Sequence, residues 1–167
     1  AVLTYPLYAD TDMVVEEPKK VAIVFDAMDS AEGLAPILYV LDEYNIKGTF
    51  FINGEFIRRY PTELKQIISA GHECASLFYT TADLTEKNFV IDADFVKRGL
   101  ARNEDEFYSA TGKELALLWH APYYHETELI KSAGKSAGYR YIKAFTAYSD
   151  RVTLELSERN PAYLYLD

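Results

Sequence analysis

The stretch Val21-Ala22-Ile23-Val24-Phe25-Asp26-Ala27-Met28-Asp29-Ser30 constrains the fold more than any other part of the chain. A β-branched apolar run of strand length stops at an acid, and a helical pattern begins at Leu34, so the stretch reads as a buried strand ending in a loop. In α/β folds the carboxyl ends of parallel strands and the loops after them build the site, which makes Asp26 and Asp29 the first candidates for chemistry. An acid after a strand also forms turns and caps helices, so a structural role stands beside the functional one.

The rest of the chain alternates. Leu34, Ile37, Leu38 and Leu41 recur at helical spacing through Tyr44, and Gly48-Thr49-Phe50-Phe51-Ile52 predicts a second strand closed by the turn dipeptide Asn53-Gly54. Phe56, Tyr60, Leu64, Ile67 and Ile68 continue the helical pattern; Pro61 divides a short helix from a longer one that stops at Gly71. Residues 72–78 predict a third strand, 89–108 a long helix ending before Thr111-Gly112, and 115–119 a fourth strand. A helix over 126–137, a strand over 139–146 and a last apolar run at 162–166 complete the pattern. Residues 1–19, with Pro6, Pro18 and scattered acids, read as an extended arm, leaving 20–167 as the domain. Repeated βα units imply a parallel sheet, either an open doubly wound sheet or a barrel; periodicity does not separate the two.

Composition excludes some classes of partner. A formal charge of -9 repels phosphate backbones, so nucleic acid is not expected as a partner. No apolar run approaches the roughly 20 residues that span a bilayer, so no membrane span is expected. Cys74 is the only cysteine, which excludes an intrachain disulfide and a cysteine-based zinc cluster. Tyrosine is abundant, at 14 of 167 residues, and aromatic rings serve sugar stacking and core packing equally well.

Five segments, in order, resemble the polysaccharide deacetylases of the NodB-homology family, carbohydrate esterase family four. Residues 21–30 resemble the family's strand ending in Thr-Phe-Asp-Asp-Gly, and Lys47-Gly-Thr-Phe-Phe-Ile-Asn-Gly-Glu resembles its Ala-Thr-Phe-Phe-Val-Asn-Gly. Residues 67–84 resemble its Ala-Gly-His-Glu block, Trp119-His-Ala-Pro-Tyr its Arg-x-Pro-Tyr, and Gly138-Tyr-Arg-Tyr the strand before its fourth motif. The resemblance implies an α/β fold, a distorted (β/α) barrel that here looks truncated at its C-terminal end. It also implies removal of N- or O-acetyl groups from chitin-like polymers, peptidoglycan or xylan. In that family one Asp and two His hold a divalent metal that polarises the acetyl carbonyl and activates water, and a second Asp is the general base.

Carried over residue by residue, the resemblance changes the expected outcome. Asp26 matches the base, but Ala27 stands at the metal-binding Asp. In Gly71-His-Glu-Cys-Ala-Ser-Leu-Phe-Tyr-Thr-Thr81, Leu77 and Thr81 stand at the two metal-binding His. His120 replaces the Arg that orients the base; Asp150 aligns with a fourth-motif Asp, and the Leu-x-His of the fifth motif has no counterpart in 162–167. His72 and Glu73 match family residues that belong to the setting of the strand.

The expectation is therefore a catalytically degenerate deacetylase-like domain, a pseudoenzyme, with Asp26 vestigial and no metal or other cofactor. It would bind a cell-wall or extracellular glycan, or a protein partner, through Asp29, Tyr79, Trp119, His120, Tyr123, Tyr124 and Asp150. The same aromatics could instead fill the former cleft. The alternative is an active acetyl hydrolase with zinc or another divalent metal in a site rebuilt from Asp29, His72, His120 and His125. A truncated barrel would also present an apolar edge at 163–166 for another domain or subunit to cover. The resemblance implies an extracytoplasmic location.

Overall fold

The computed structural model describes residues 22–88 and 90–143. The arm at 1–19, Asp150, the apolar run at 162–166 with its expected partner edge, and residues 144–146 of the expected fifth strand lie outside these residues. Among the described residues five strands form one sheet: β1 (Val24–Ala27), β2 (Thr49–Ile52), β3 (Glu73–Ser76), β4 (Ala116–Trp119) and β5 (Arg140–Tyr141). Every neighbouring pair is parallel and the spatial order is the sequence order. That order decides between the two architectures left open above. A doubly wound sheet reverses its order at a switch point, whereas uniform right-handed crossovers keep all helices on one face and curl the sheet into a barrel wall.

The connecting helices are α1 (Leu34–Glu43), α2 (Gly54–Arg59), α3 (Pro61–Ser69), α4 (Ala93–Thr111) and α5 (Glu128–Ser136). Pro61 opens α3, where its missing N–H is no loss. Asn53 is no turn residue but the N-cap of α2: its side chain accepts from Glu55 N at 2.9 Å and donates to the carbonyls of Leu77 and Thr80 at 3.0 and 2.8 Å. The long helix starts at Ala93, later than the pattern suggests, because Asp92 caps it by accepting from Phe95 N. It ends at Gly112, whose φ of 68° few other residues adopt.

Strand alternation sorts the side chains into an outer and an inner set. Outward from β2 and β3, Phe50, Ile52 and Cys74 join Leu41, Phe56, Ile57, Leu64, Ile67 and Phe107 under the helices, and the Cys74 thiol is buried among them. Further along, Phe78 and Trp119 pack against α4 and α5, where Gly99 and Gly134 let the rings approach: a methyl at either glycine would overlap them. Inward, Phe51, Ala75 and Leu77 are buried with Val24, Met28, Ala116, Leu118 and Ile142 around them. Asn103 of α4 is fully buried and donates to Ile52 O and Ser76 Oγ, both at 2.9 Å, fixing the carboxyl ends of β2 and β3 where the inner face opens.

Candidate functional site

At the carboxyl ends of β1 and β4 the inner face carries one polar cluster. Asp26 lies in β1 opposite Phe51, with 30% of its side chain exposed. His120 follows the last residue of β4 and is fully buried. Its Nε2 lies 3.0 Å from Asp26 Oδ1, its Nδ1 lies 2.9 Å from Ala121 O, and the Phe51 ring packs at 4.5 Å. The Tyr124 ring stacks on the imidazole at 3.9 Å and 10°, and its hydroxyl donates to Asp26 Oδ1 at 3.2 Å. Burial and the neighbouring Asp26 push the Tyr124 phenol up, so it stays protonated and donating.

The turn that delivers Tyr124 is unusual. Pro122–Tyr124 forms a single 3-10 turn in which Tyr123 and Tyr124 have φ of 61° and 59°. Left-handed backbone costs a residue other than glycine on the order of 1–3 kcal/mol, so surrounding contacts must hold it. Just beyond, His125 Nδ1 meets Asp83 Oδ2 at 2.7 Å, tying the β3–α4 loop to the β4–α5 loop. Asp83 also accepts from Thr85 N at 2.8 Å and Thr85 Oγ1 at 2.6 Å. The two Thr85 bonds, then His125, hold its carboxyl down at about 2 against an ordinary 3.8.

A pH signature follows. Because the folded value is depressed, the contribution of Asp83 to stability is complete above 3.8 and disappears as pH falls toward about 2. Chemical denaturation of the wild type and Asp83→Asn across that window will show a steeper acid loss in the wild type. Parallel curves would mean that Asp83 gains nothing from its partners.

Asp26, His120 and Tyr124 are thus brought together, and Tyr123 stands at the rim, 51% exposed. Two residues expected in the groove are elsewhere. Trp119 is fully buried and points the other way, edge-on to Tyr141 at 5.2 Å and against Gly134 of α5, because alternation sends Trp119 outward and His120 inward. Tyr79 is carried outward by the left-handed Phe78 (φ 67°) and sits between the guanidinium groups of Arg58 and Arg102, at 4.9 and 4.0 Å. Asp29 is exposed on the β1–α1 loop.

The residues that the resemblance sets at the family's metal positions do not fit a metal ion. Ala27 is buried toward the α1 side, Leu77 is fully buried in the inner apolar cluster, and Thr81 is half-buried; the first two carry no donor atom. A rebuilt centre from Asp29, His72, His120 and His125 is not gathered either. His72 lies at the amino ends of the strands, its Nδ1 accepting from Gly48 N at 3.2 Å, while His125 is held by Asp83. Among the described residues no group of three His, Cys, Asp or Glu lies close enough together to hold an ion.

Sequence reasoning missed the Asp83–His125 clip, whose one local signal is the Asp-x-Thr pattern of Asp83 and Thr85. It set Asp26 at the base and His120 at the Arg that orients the base, which is the contact the structure shows.

Comparison with known proteins settles the family. The sequence model described as polysaccharide deacetylase matches residues 14–142. The chain belongs to the polysaccharide deacetylase family. Within this family it is 29% identical, over 114 residues, to the peptidoglycan-N-acetylmuramic acid deacetylase PdaA of Bacillus subtilis, matching 68% of this chain and 42% of that protein. It is 33% identical over 69 residues to a peptidoglycan-N-acetylglucosamine deacetylase of Bacillus cereus, 41% of this chain and 25% of that protein. The polysaccharide deacetylase domain described here thus spans less than half the length of these curated relatives. Solved structures agree on the fold. A family 4 carbohydrate esterase from Streptomyces lividans superposes with a TM-score of 0.63 at 19% identity, over 74% of this chain and 61% of that one. A family 4 pseudoenzyme from Bacillus anthracis gives 0.60 at 20% identity, over 72% and 42%.

Proposed function

We propose that this polysaccharide deacetylase domain is a pseudoenzyme, one that keeps the family groove as a binding site for a cell-wall or extracellular glycan. The observation that carries the reading is Leu77: where the family places a metal-binding imidazole, a fully buried aliphatic side chain packs into the inner apolar cluster. Ala27 and Thr81 extend the loss to the other two ligand positions, and together they leave nothing to polarise an acetyl carbonyl by the family route.

What remains suits a sugar. Asp26 is partly exposed, and among the described residues its Oδ2 has no hydrogen-bond partner, so it can accept from ligand hydroxyls. Tyr123 offers an exposed ring at the rim. The polysaccharide deacetylase relatives named for peptidoglycan make a cell-envelope glycan the first ligand class to try, and favour an extracytoplasmic location. No helix among the described residues is long and apolar enough to cross a membrane.

The test has two arms. Bound zinc, cobalt and nickel per chain, and acetate release from acetylated chito-oligosaccharides and peptidoglycan, are expected at background. Sedimentation with purified peptidoglycan and chitin is expected to retain the chain, and Asp26→Ala to weaken retention about 10-fold or more through loss of a charged hydrogen-bond acceptor. One tightly held ion per chain with acetate release would overturn the reading, and so would indifference to every glycan.

A further inference from the structure

One proton in the groove wall has no substitute. Both ring nitrogens of His120 face oxygen atoms, Asp26 Oδ1 at 3.0 Å and Ala121 O at 2.9 Å. A ring protonated on both nitrogens donates to each. A ring with one proton donates to one and turns a lone pair toward the other oxygen at hydrogen-bond distance. Writing the shared proton on Asp26 rather than on Nε2 alters the formal charges, not the number of protons the arrangement needs.

The strained turn hangs on the same atoms. Tyr124 is held by its ring on the His120 imidazole, by its hydroxyl on Asp26 Oδ1, and by its N–H on Ala121 O at 3.0 Å. Each anchor is a group that His120 touches. Tyr123 and Tyr124 are both left-handed and neither is a glycine, so these anchors offset a strain that otherwise only the buried Pro122 and the His125 N–H on Pro122 O at 3.3 Å are seen to oppose. The far side stays fixed, because His125 is held by Asp83.

Among the described residues the titratable groups around His120 are few. β1 supplies Asp26, the turn supplies Tyr124, and β5 supplies Tyr141, whose hydroxyl accepts from Ala121 N at 3.4 Å, with Glu126 and Lys131 close to Tyr141. β2 presents the Phe51 ring and β3 the Ser76 carbonyl, neither charged.

We propose that His120 is a proton-operated positioning residue: its second ring proton holds the Asp26 carboxylate and the Tyr123–Tyr124 turn in place, and loss of that proton releases the turn and reshapes the groove. This device is a property of the free chain and holds whatever the groove binds. It gives the groove a permanent dependence on pH that an arginine at the same position would lack.

The experiment is an NMR titration of the free protein from about pH 4 to about pH 9, the range in which histidines change charge. It follows the His120 ring nitrogens together with the ring and amide signals of Tyr123 and Tyr124. The expected result is a ring protonated on both nitrogens at the acid end and one midpoint shared with the two tyrosines, the Tyr124 ring signals moving downfield as the stack opens. His125→Gln should leave that midpoint in place, which separates it from the Asp83 pair. Asp26→Asn should abolish the tyrosine transition, because an amide N–H can donate to the bare Nε2 and needs no ring proton. A His120 ring that keeps one neutral tautomer throughout, stays doubly protonated throughout, or loses its proton while the Tyr124 signals stand still would overturn the proposal on the wild type alone.

Discussion

Trp119→Ala will lose about 3–5 kcal/mol of folding stability, the range for truncating a large buried aromatic. Against the roughly 5–15 kcal/mol that holds a domain together, this is a large fraction of the total. The indole is fully buried between Phe78, Tyr141 and the backbone of α5 at Gly134, so its removal opens a cavity that these rigid neighbours cannot close. Its Nε1 is buried without a hydrogen-bond partner among the described residues, so no polar contact is forfeited, and Trp119→Phe should recover much of the loss. Urea denaturation of the three proteins measures both effects. Glycan retention per folded molecule should be unchanged in Trp119→Phe. A tryptophan variant of native stability with weakened retention would return this side chain to the groove.

The second large effect concerns the missing ligands. On the pseudoenzyme proposal, Ala27→Asp, Leu77→His and Thr81→His together should make the chain one that zinc stabilises. Without metal, the triple variant will be about 2–5 kcal/mol less stable, because an imidazole replaces leucine at a fully buried apolar position and a carboxylate enters beside the α1 cluster. With zinc at about 1,000 times its dissociation constant, binding to the folded state returns about 4 kcal/mol. Thermal melts with and without zinc read the difference. The wild type should not respond, and a wild-type melting temperature that climbs with zinc would remove the basis of the pseudoenzyme reading.

The fold was largely legible because it rests on local patterns. Phe50-Phe51-Ile52 is too apolar for anything but a strand buried on both faces, Pro61 separates α2 from α3, and Gly112 stops α4. Ambiguity began where one residue of register matters. Trp119 and His120 are adjacent and both polar-tipped aromatics, and nothing in composition says which faces α5 and which faces Asp26; a slip of one residue exchanges them. Tyr79 was misplaced for a related reason. Phe78 takes a left-handed backbone without being glycine or asparagine, so the chain leaves β3 sooner than its apolar run predicts. The Asp83–His125 pair joins residues 42 apart on two loops, which periodicity cannot connect. The Asp26–His120 contact, by contrast, was within reach, since the resemblance placed an orienting cation at position 120.

Cys74, packed beneath the helices beside Phe50 and Leu64, bears on where such a chain can persist. Burial first, then the neighbouring Glu73, pushes its thiol up to about 12. This keeps the thiol protonated near neutral pH, whereas the thiolate is the form that attacks oxidants and disulfides. An unpaired cysteine is ordinarily a hazard in an oxidising milieu, open to mixed disulfides and crosslinked dimers. Here that chemistry must wait for the sheet to open, so the domain's redox lifetime is set by its unfolding rate rather than by the oxidants around it.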